Sequence, residues 1–174
     1  MTNEDSICPA GYYCAAGTAK PKTSANMCQP GYFCPAESST ATACTAGKYC
    51  QGYALAAVSG DCLDGYWCAG QASVPNPTDG TTGNVCPKGH YCPSGIDAAT
   101  ACAIGTYNNK IGSHLLADCL QCIAGKVCET AGLDYPVDDC PAGSYCPLDA
   151  STETQVACPI GHKCPTGSHE PQKC

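Results

Sequence analysis

Residues 86–92 read Cys86-Pro87-Lys88-Gly89-His90-Tyr91-Cys92, and this pattern, Cys-x-x-Gly-x-aromatic-Cys, decides how the rest of the chain is read. It recurs at Cys8 to Cys14, Cys28 to Cys34, Cys44 to Cys50, Cys62 to Cys68 and Cys140 to Cys146, with the second cysteine always six residues after the first. Copies at Cys122 to Cys128 and Cys158 to Cys164 keep both cysteines and the glycine but lose the aromatic. The copy that opens at Cys102 keeps Gly105 and Tyr107 but has no second cysteine at the expected spacing. Nine heads result, their first cysteines 16 to 24 residues apart, and Cys174 stands where a tenth would begin. The chain therefore divides into a leader, 1–7, and nine repeats at 8–27, 28–43, 44–61, 62–85, 86–101, 102–121, 122–139, 140–157 and 158–173, with 174 opening another. Fixed-period self-similarity of this kind is the signature of an array, not of a single-core domain.

Composition agrees with that reading. The 174 residues include 19 Cys, 19 Gly and 14 Pro. Leu, Ile, Val and Phe together number only twenty. That is too little aliphatic volume for an ordinary core, and a chain so rich in cysteine belongs with disulfide scaffolds of oxidising compartments. We expect an extracellular or cell-surface protein. The net charge of −7, with no Arg, gives no footprint for a phosphate backbone or an anionic lipid, so no nucleic-acid partner is expected. No stretch reaches the length of a membrane span, so direct membrane insertion is not expected either. The acidic start, Met1 to Asp5, lacks the form of a signal peptide, and the sequence reads as a segment of a longer secreted protein.

Every head carries Gly three residues after its first cysteine, from Gly11 to Gly161, which fits a turn that demands positive φ. Pro9, Pro30, Pro87, Pro141 and Pro159 precede it and suit such a turn by pre-setting φ. The aromatic two residues beyond falls on a short extended segment, where it covers the neighbouring cystine and the flank of the next repeat. Tails rich in Gly, Pro, Ser, Thr and Ala read as loops, the longest being Ala69 to Val85 with Pro75 to Gly80 as an exposed protrusion. Only Ser113 to Cys119 suits a turn or two of helix. The expected fold is a set of small disulfide-rich repeats forming an elongated, solenoid-like rod of short β-hairpins and loops, with little helix.

Two disulfide schemes suit the spacing. Pairing within heads gives Cys8–Cys14, Cys28–Cys34, Cys44–Cys50, Cys62–Cys68, Cys86–Cys92, Cys122–Cys128, Cys140–Cys146 and Cys158–Cys164, closes the defective repeat as Cys102–Cys119, and leaves Cys174 unpaired or linked outside the segment. Pairing each second cysteine with the next first one leaves Cys8 over and forces Cys119 onto Cys122. Constant spacing favours the first, because a local cross-link has a fixed geometry. Each seven-residue loop so closed contributes about 2–2.5 kcal/mol on the chain-entropy model.

The heads resemble the ephrin-receptor-like cysteine-rich repeats of extracellular and protist surface proteins. The sixth repeat, Cys102 to Cys122, is similar to that family's basic form, and the others to its variant with a cysteine directly after the aromatic. The resemblance implies an elongated extracellular array without catalysis or cofactors, serving as a segment of a fibril or surface coat, such as a flagellar hair of a microbial eukaryote, or as the stalk of a receptor or adhesin.

Residues that carry chemistry elsewhere have blander readings here. Cys119-Leu120-Gln121-Cys122 is the sole Cys-x-x-Cys, and it lacks the second pair or His cluster that a zinc site needs, since His90, His114, His162 and His169 are scattered. Asp134, Asp138 and Asp139 do not follow the plan of a calcium loop. No nucleophile elbow or phosphate loop occurs, so no enzyme is expected. Asn76-Pro77-Thr78 is spoiled as an N-glycan acceptor by its proline. Ser38, Ser39, Thr40, Thr42, Thr78, Thr81, Thr82, Ser151, Thr152 and Thr154 are candidate O-glycan sites. Incomplete repeats at both ends lead us to expect a linear assembly with copies of the same chain.

Overall fold

A turn and a two-residue ladder build each repeat. The computed structural model describes residues 7–15, 22–148, 150 and 155–174. In the third head the Lys48 N–H donates to the Thr45 carbonyl at 3.0 Å, closing a turn with Gly47 at φ 77°. Lys48–Tyr49 then pairs antiparallel with Gly60–Asp61, Lys48 opposite Asp61. The Cys62 N–H returns to the Gly47 carbonyl at 3.0 Å, and there the next head begins.

Seven other hairpins repeat this plan. Tyr32–Phe33 pairs with Thr42–Ala43, Tyr66–Cys68 with Gly83–Val85, His90–Tyr91 with Thr100–Ala101, and Thr106–Tyr107 with Leu120–Gln121. Lys126–Val127 pairs with Asp138–Asp139, Ser144–Tyr145 with Val156–Ala157, and His162–Lys163 with Gln172–Lys173. Among the described residues the first repeat has a single bridge, Tyr12 to Met27. Apart from one 3-10 turn, Leu116–Asp118, the described elements are all short strands, so this is a fold of small disulfide-rich repeats.

The prolines play a different part from the one their spacing suggests. In three heads the turn bond runs to the carbonyl of Pro9, Pro141 or Pro159, which puts proline first in the turn. Only Pro30 takes the second position, where a preset φ helps, because its turn opens at Gln29.

The structure joins Cys8 to Cys14, Cys28 to Cys34, Cys44 to Cys50, Cys62 to Cys68, Cys122 to Cys128, Cys140 to Cys146 and Cys158 to Cys164, and closes the sixth repeat as Cys102 to Cys119. Cys86 and Cys92 are also disulfide-bonded, which makes nine bonds in all, and Cys174 is an exposed free thiol. The cystines are the core. Cys28, Cys34, Cys50, Cys62 and Cys68 have no exposed surface, while most of the large aliphatic side chains lie outside.

The chain divides into two compact units, Met1–Val85 with Cys92–Ala99, and Cys86–Tyr91 with Thr100–Cys174. Within the first, a backbone ladder links successive heads. The N–H groups of Gly11, Gly31, Gly47 and Gly65 donate to the carbonyls of Cys34, Cys50, Cys68 and Cys92, the second cysteine of the following head, at 2.8–2.9 Å. Return bonds run from Glu37, Ala54, Gln71 and Gly95, in the tails, to the carbonyls of Cys8, Cys28, Cys44 and Cys62. Glu37, Ala54 and Gln71 pay for this with φ of 67°, 53° and 55°, a region where side chains cost about 1–2 kcal/mol. The packing follows the same direction, for Tyr49 lies on Cys62, Cys68 and Ala72 of the next repeat.

The second unit has the same ladder. Gly89, Gly105, Gly125 and Gly143 donate to Asn108, Cys128, Cys146 and Cys164 at 2.7–2.9 Å, and Gly112, Gly132 and Gly167 return to Cys86, Cys102 and Cys140. Tyr107 packs on Cys122 and Cys128, and Val127 on Cys140, Cys146 and Ala150. An aliphatic residue thus performs the covering role where the seventh head lacks its aromatic.

Glycine is required for two reasons at once. Gly47 has positive φ, and a Cβ there would land on the carbonyl oxygen of Gly95, in a tail two heads further along. Gly125 has φ 82°, and its Cβ would lie 2.5 Å from the Gly167 carbonyl oxygen, again two heads on.

Candidate functional surface

The chemistry-bearing side chains are used locally, inside the turns and hairpins that hold them. Cys119 and Cys122 belong to different disulfides, to Cys102 and Cys128, so the Cys-x-x-Cys is the junction of two repeats. Asp139 meets Lys126 across its hairpin at 2.9 Å, and the ion pair of Lys48 with Asp61 occupies the same register in the third repeat. His90 Nδ1 lies 2.9 Å from the Lys88 carbonyl and His162 Nδ1 3.3 Å from the Ile160 carbonyl, each within its own turn. Among the described residues no group of three or more His, Cys, Asp or Glu converges as metal ligands would.

The candidate hydroxyls differ in how free they are. Ser38 Oγ donates to the Pro35 carbonyl at 2.7 Å and is half-buried, whereas Ser39, Thr40 and Thr42 are exposed. Ser151, Thr152 and Thr154 lie outside the described residues. In the loop of the fourth repeat, Asp79 organises the backbone. Its Oδ1 accepts the N–H groups of Thr81 and Thr82, both at 2.7 Å, and its Oδ2 accepts the Thr82 hydroxyl at 2.6 Å. The Thr82 hydroxyl above all, then the two N–H groups, hold this carboxyl below the usual range. Thr78 and Thr81 remain exposed.

The same loop is less of a protrusion than its composition suggests. The Leu63 N–H donates to the Pro75 carbonyl at 2.8 Å, and Pro77 is buried against Gly83, so the loop is anchored at both of these prolines while the run Thr78 to Thr81 at its tip is exposed. Beside that tip is an open cleft of about 500 Å³, lined chiefly by Thr45 and Ala46 of the third head and by Gly70, Gln71, Thr81 and Thr82 of the fourth repeat. Asn84 turns its Oδ1 onto the Val85 N–H at 2.8 Å, next to the bonded Cys86.

Two features escape a reading of the sequence. Asn108 takes the place of the missing second cysteine: it is fully buried, and its Nδ2 donates to the His90 carbonyl at 2.9 Å. The available signal was its position six residues after Cys102. The cleft left no signal, because it depends on how the long fourth tail folds back. Cys174 extends the strand Gln172–Lys173, and its N–H points to the Gly161 carbonyl at 3.3 Å. Neither a scan against protein-family models nor a search of curated proteins finds a match to this chain. Nine disulfides mark an extracellular or secreted protein, and no described helix is long and apolar enough to cross a membrane.

Proposed function

We propose that the chain is a structural segment of an extracellular fibril or surface coat, of the flagellar-hair type, built from ephrin-receptor-like cysteine-rich repeats. The supporting observation is the ladder from glycine N–H to the carbonyl of the next head's second cysteine, which recurs in both units and uses no side chain. A repeat held to its neighbours by backbone bonds and closed by its own cystine propagates without needing a particular side chain at its surface. Such a unit suits a load-carrying or coating role, in linear assembly with copies of the same chain, better than a role that depends on a reactive constellation.

The test is electron microscopy and sedimentation of the secreted, oxidised protein across a wide concentration range. Filaments or end-to-end oligomers are the expected result. A monodisperse monomer at high concentration refutes the assembly.

A further inference from the structure

We propose that Thr81 is an O-glycan acceptor, and that the first sugar of its glycan lies in the cleft between the third head and the fourth repeat. The proposal rests on the extracellular reading, since the modification requires passage through a secretory compartment.

The neighbouring hydroxyls are distinguished by their partners. The Thr82 hydroxyl is committed to Asp79 Oδ2 at 2.6 Å, and Thr82 is half-buried. Thr81 is exposed, and the bond from its N–H to Asp79 fixes the backbone while leaving the side chain at the rim. Asp79 thus engages one threonine and displays the other on a rigid turn. Pro75 and Pro77 stand just upstream, and Thr-rich, Pro-flanked segments are the ordinary setting of O-glycans.

The cleft supplies the second argument. Its volume of about 500 Å³ falls within the range of small-molecule sites. Its lining carries no charged side chain, which suits a neutral ligand and gives an ionic one nothing to pair with. Thr45 and Gln71 can exchange hydrogen bonds with sugar hydroxyls, and Ala46 and Gly70 leave room for a ring to approach the backbone. The other exposed candidates of the first unit, Ser39, Thr40, Thr42 and Thr78, do not line this cleft.

The step is a simple group transfer. The Thr81 hydroxyl oxygen bonds to the anomeric carbon of a nucleotide-activated sugar as the bond from that carbon to the nucleoside diphosphate breaks. The hydroxyl proton leaves to a base of the transferase or to the departing phosphate, and nothing is oxidised or reduced.

The experiment is secretion of the full chain from a human cell line, followed by intact mass and electron-transfer fragmentation, for the unchanged protein and for Thr81→Val. The expected result is a hexose or N-acetylhexosamine on Thr81 with Thr82 bare, its complete loss in Thr81→Val, and slower solvent exchange of the Gln71 side-chain amide when the sugar is present. A sugar on Thr82 or Thr78 with Thr81 bare, or no sugar between Thr78 and Thr82, overturns the proposal. Counting nine disulfides and one thiol in the same samples keeps that failure separate from failure of the extracellular reading.

Discussion

The third and sixth repeats solve the same problem with different side chains. In the third, Cys44 and Cys50 close the head over six residues, and the Cys50 carbonyl receives the N–H of Gly31. In the sixth, Cys102 reaches Cys119 across a separation of 17 residues, and the place of the second cysteine is taken by Asn108. The Asn108 carbonyl receives the N–H of Gly89 at 2.7 Å, and its own N–H donates to Leu133 at 2.9 Å. Its side chain accepts the Lys110 N–H at 3.1 Å and donates to His90 at 2.9 Å. The ladder survives the exchange of chemistry. What the array needs at this position is a carbonyl in a fixed place, and either a cystine or a satisfied amide can hold it there.

The largest effect should come from the glycine that both designs share. Gly47→Ala meets a disfavoured φ and also the Gly95 carbonyl, and the expected loss is about 3 kcal/mol or more in local stability. Gly143→Ala has nothing within 4 Å of the new Cβ, so it should lose only the backbone part, about 1–2 kcal/mol. Hydrogen exchange at the Cys62 and Cys158 amides, which bond to these two glycines, measures both losses. Equal losses would show that the approach of the tail two heads on is unimportant.

Removing the disulfides comes next. Replacing Cys102 and Cys119 together by Ser should cost about 3 kcal/mol, against about 2–2.5 kcal/mol for Cys44 and Cys50, because the longer loop regains more freedom. Denaturant unfolding of the two double variants makes the comparison. The reverse order would mean that packing over the short cystine outweighs loop entropy.

A smaller loss is expected for Asn108→Ala, which removes the buried amide that donates to the His90 carbonyl, at about 1–3 kcal/mol. Rapid exchange of the Gly89 and Asn108 amides with little change in the third repeat would localise the damage.

The smallest effect separates the two tails by pH. In the third repeat the tail is fastened by a neutral group, the Gln51 N–H bonding to Ser59 Oγ at 2.8 Å. In the sixth, Asp118 Oδ2 accepts the N–H groups of Leu115 at 2.9 Å and His114 at 3.0 Å, and these two bonds, the Leu115 one foremost, hold its carboxyl below the ordinary range. A lowered carboxyl contributes stability above its unfolded titration range and loses it as pH falls through the lowered folded value. Acidification below the ordinary Asp range should therefore shift the Leu115 and His114 amide resonances and leave that of Gln51 in place. Asp118→Asn should abolish the difference.

The heads were legible in the sequence because cysteine, glycine and the position two residues beyond recur at fixed spacing, and those positions set the turn, the cystine and its cover. The tails were not, because their lengths differ and the residue that turns back is Glu37, Ala54 or Gln71 in some repeats and Gly95, Gly112, Gly132 or Gly167 in others. Backbone carbonyls receive those tails, and a carbonyl has no letter in the sequence. Asn108 was hidden for a related reason: it is a substitute defined by spacing alone. Among the candidate hydroxyls, composition placed Thr81 and Thr82 on equal terms, and the Asp79 bonds together with the greater exposure of Thr81 separate them.

Covalent closure of the heads also decides how the molecule would respond to pulling. A head whose cysteines lie six residues apart and are bonded together passes tension through sulfur and cannot pay out its own loop. Extension must come from the tails, once the bonds that fold each tail back onto the preceding head have sheared. The sixth repeat differs, because its bond to Cys119 encloses the first strand of its hairpin and all of the connecting loop, and leaves only Leu120 and Gln121, the second strand, before Cys122. It would act as a stop in an otherwise stretchable series, lengthening least under load while its neighbours take up the slack.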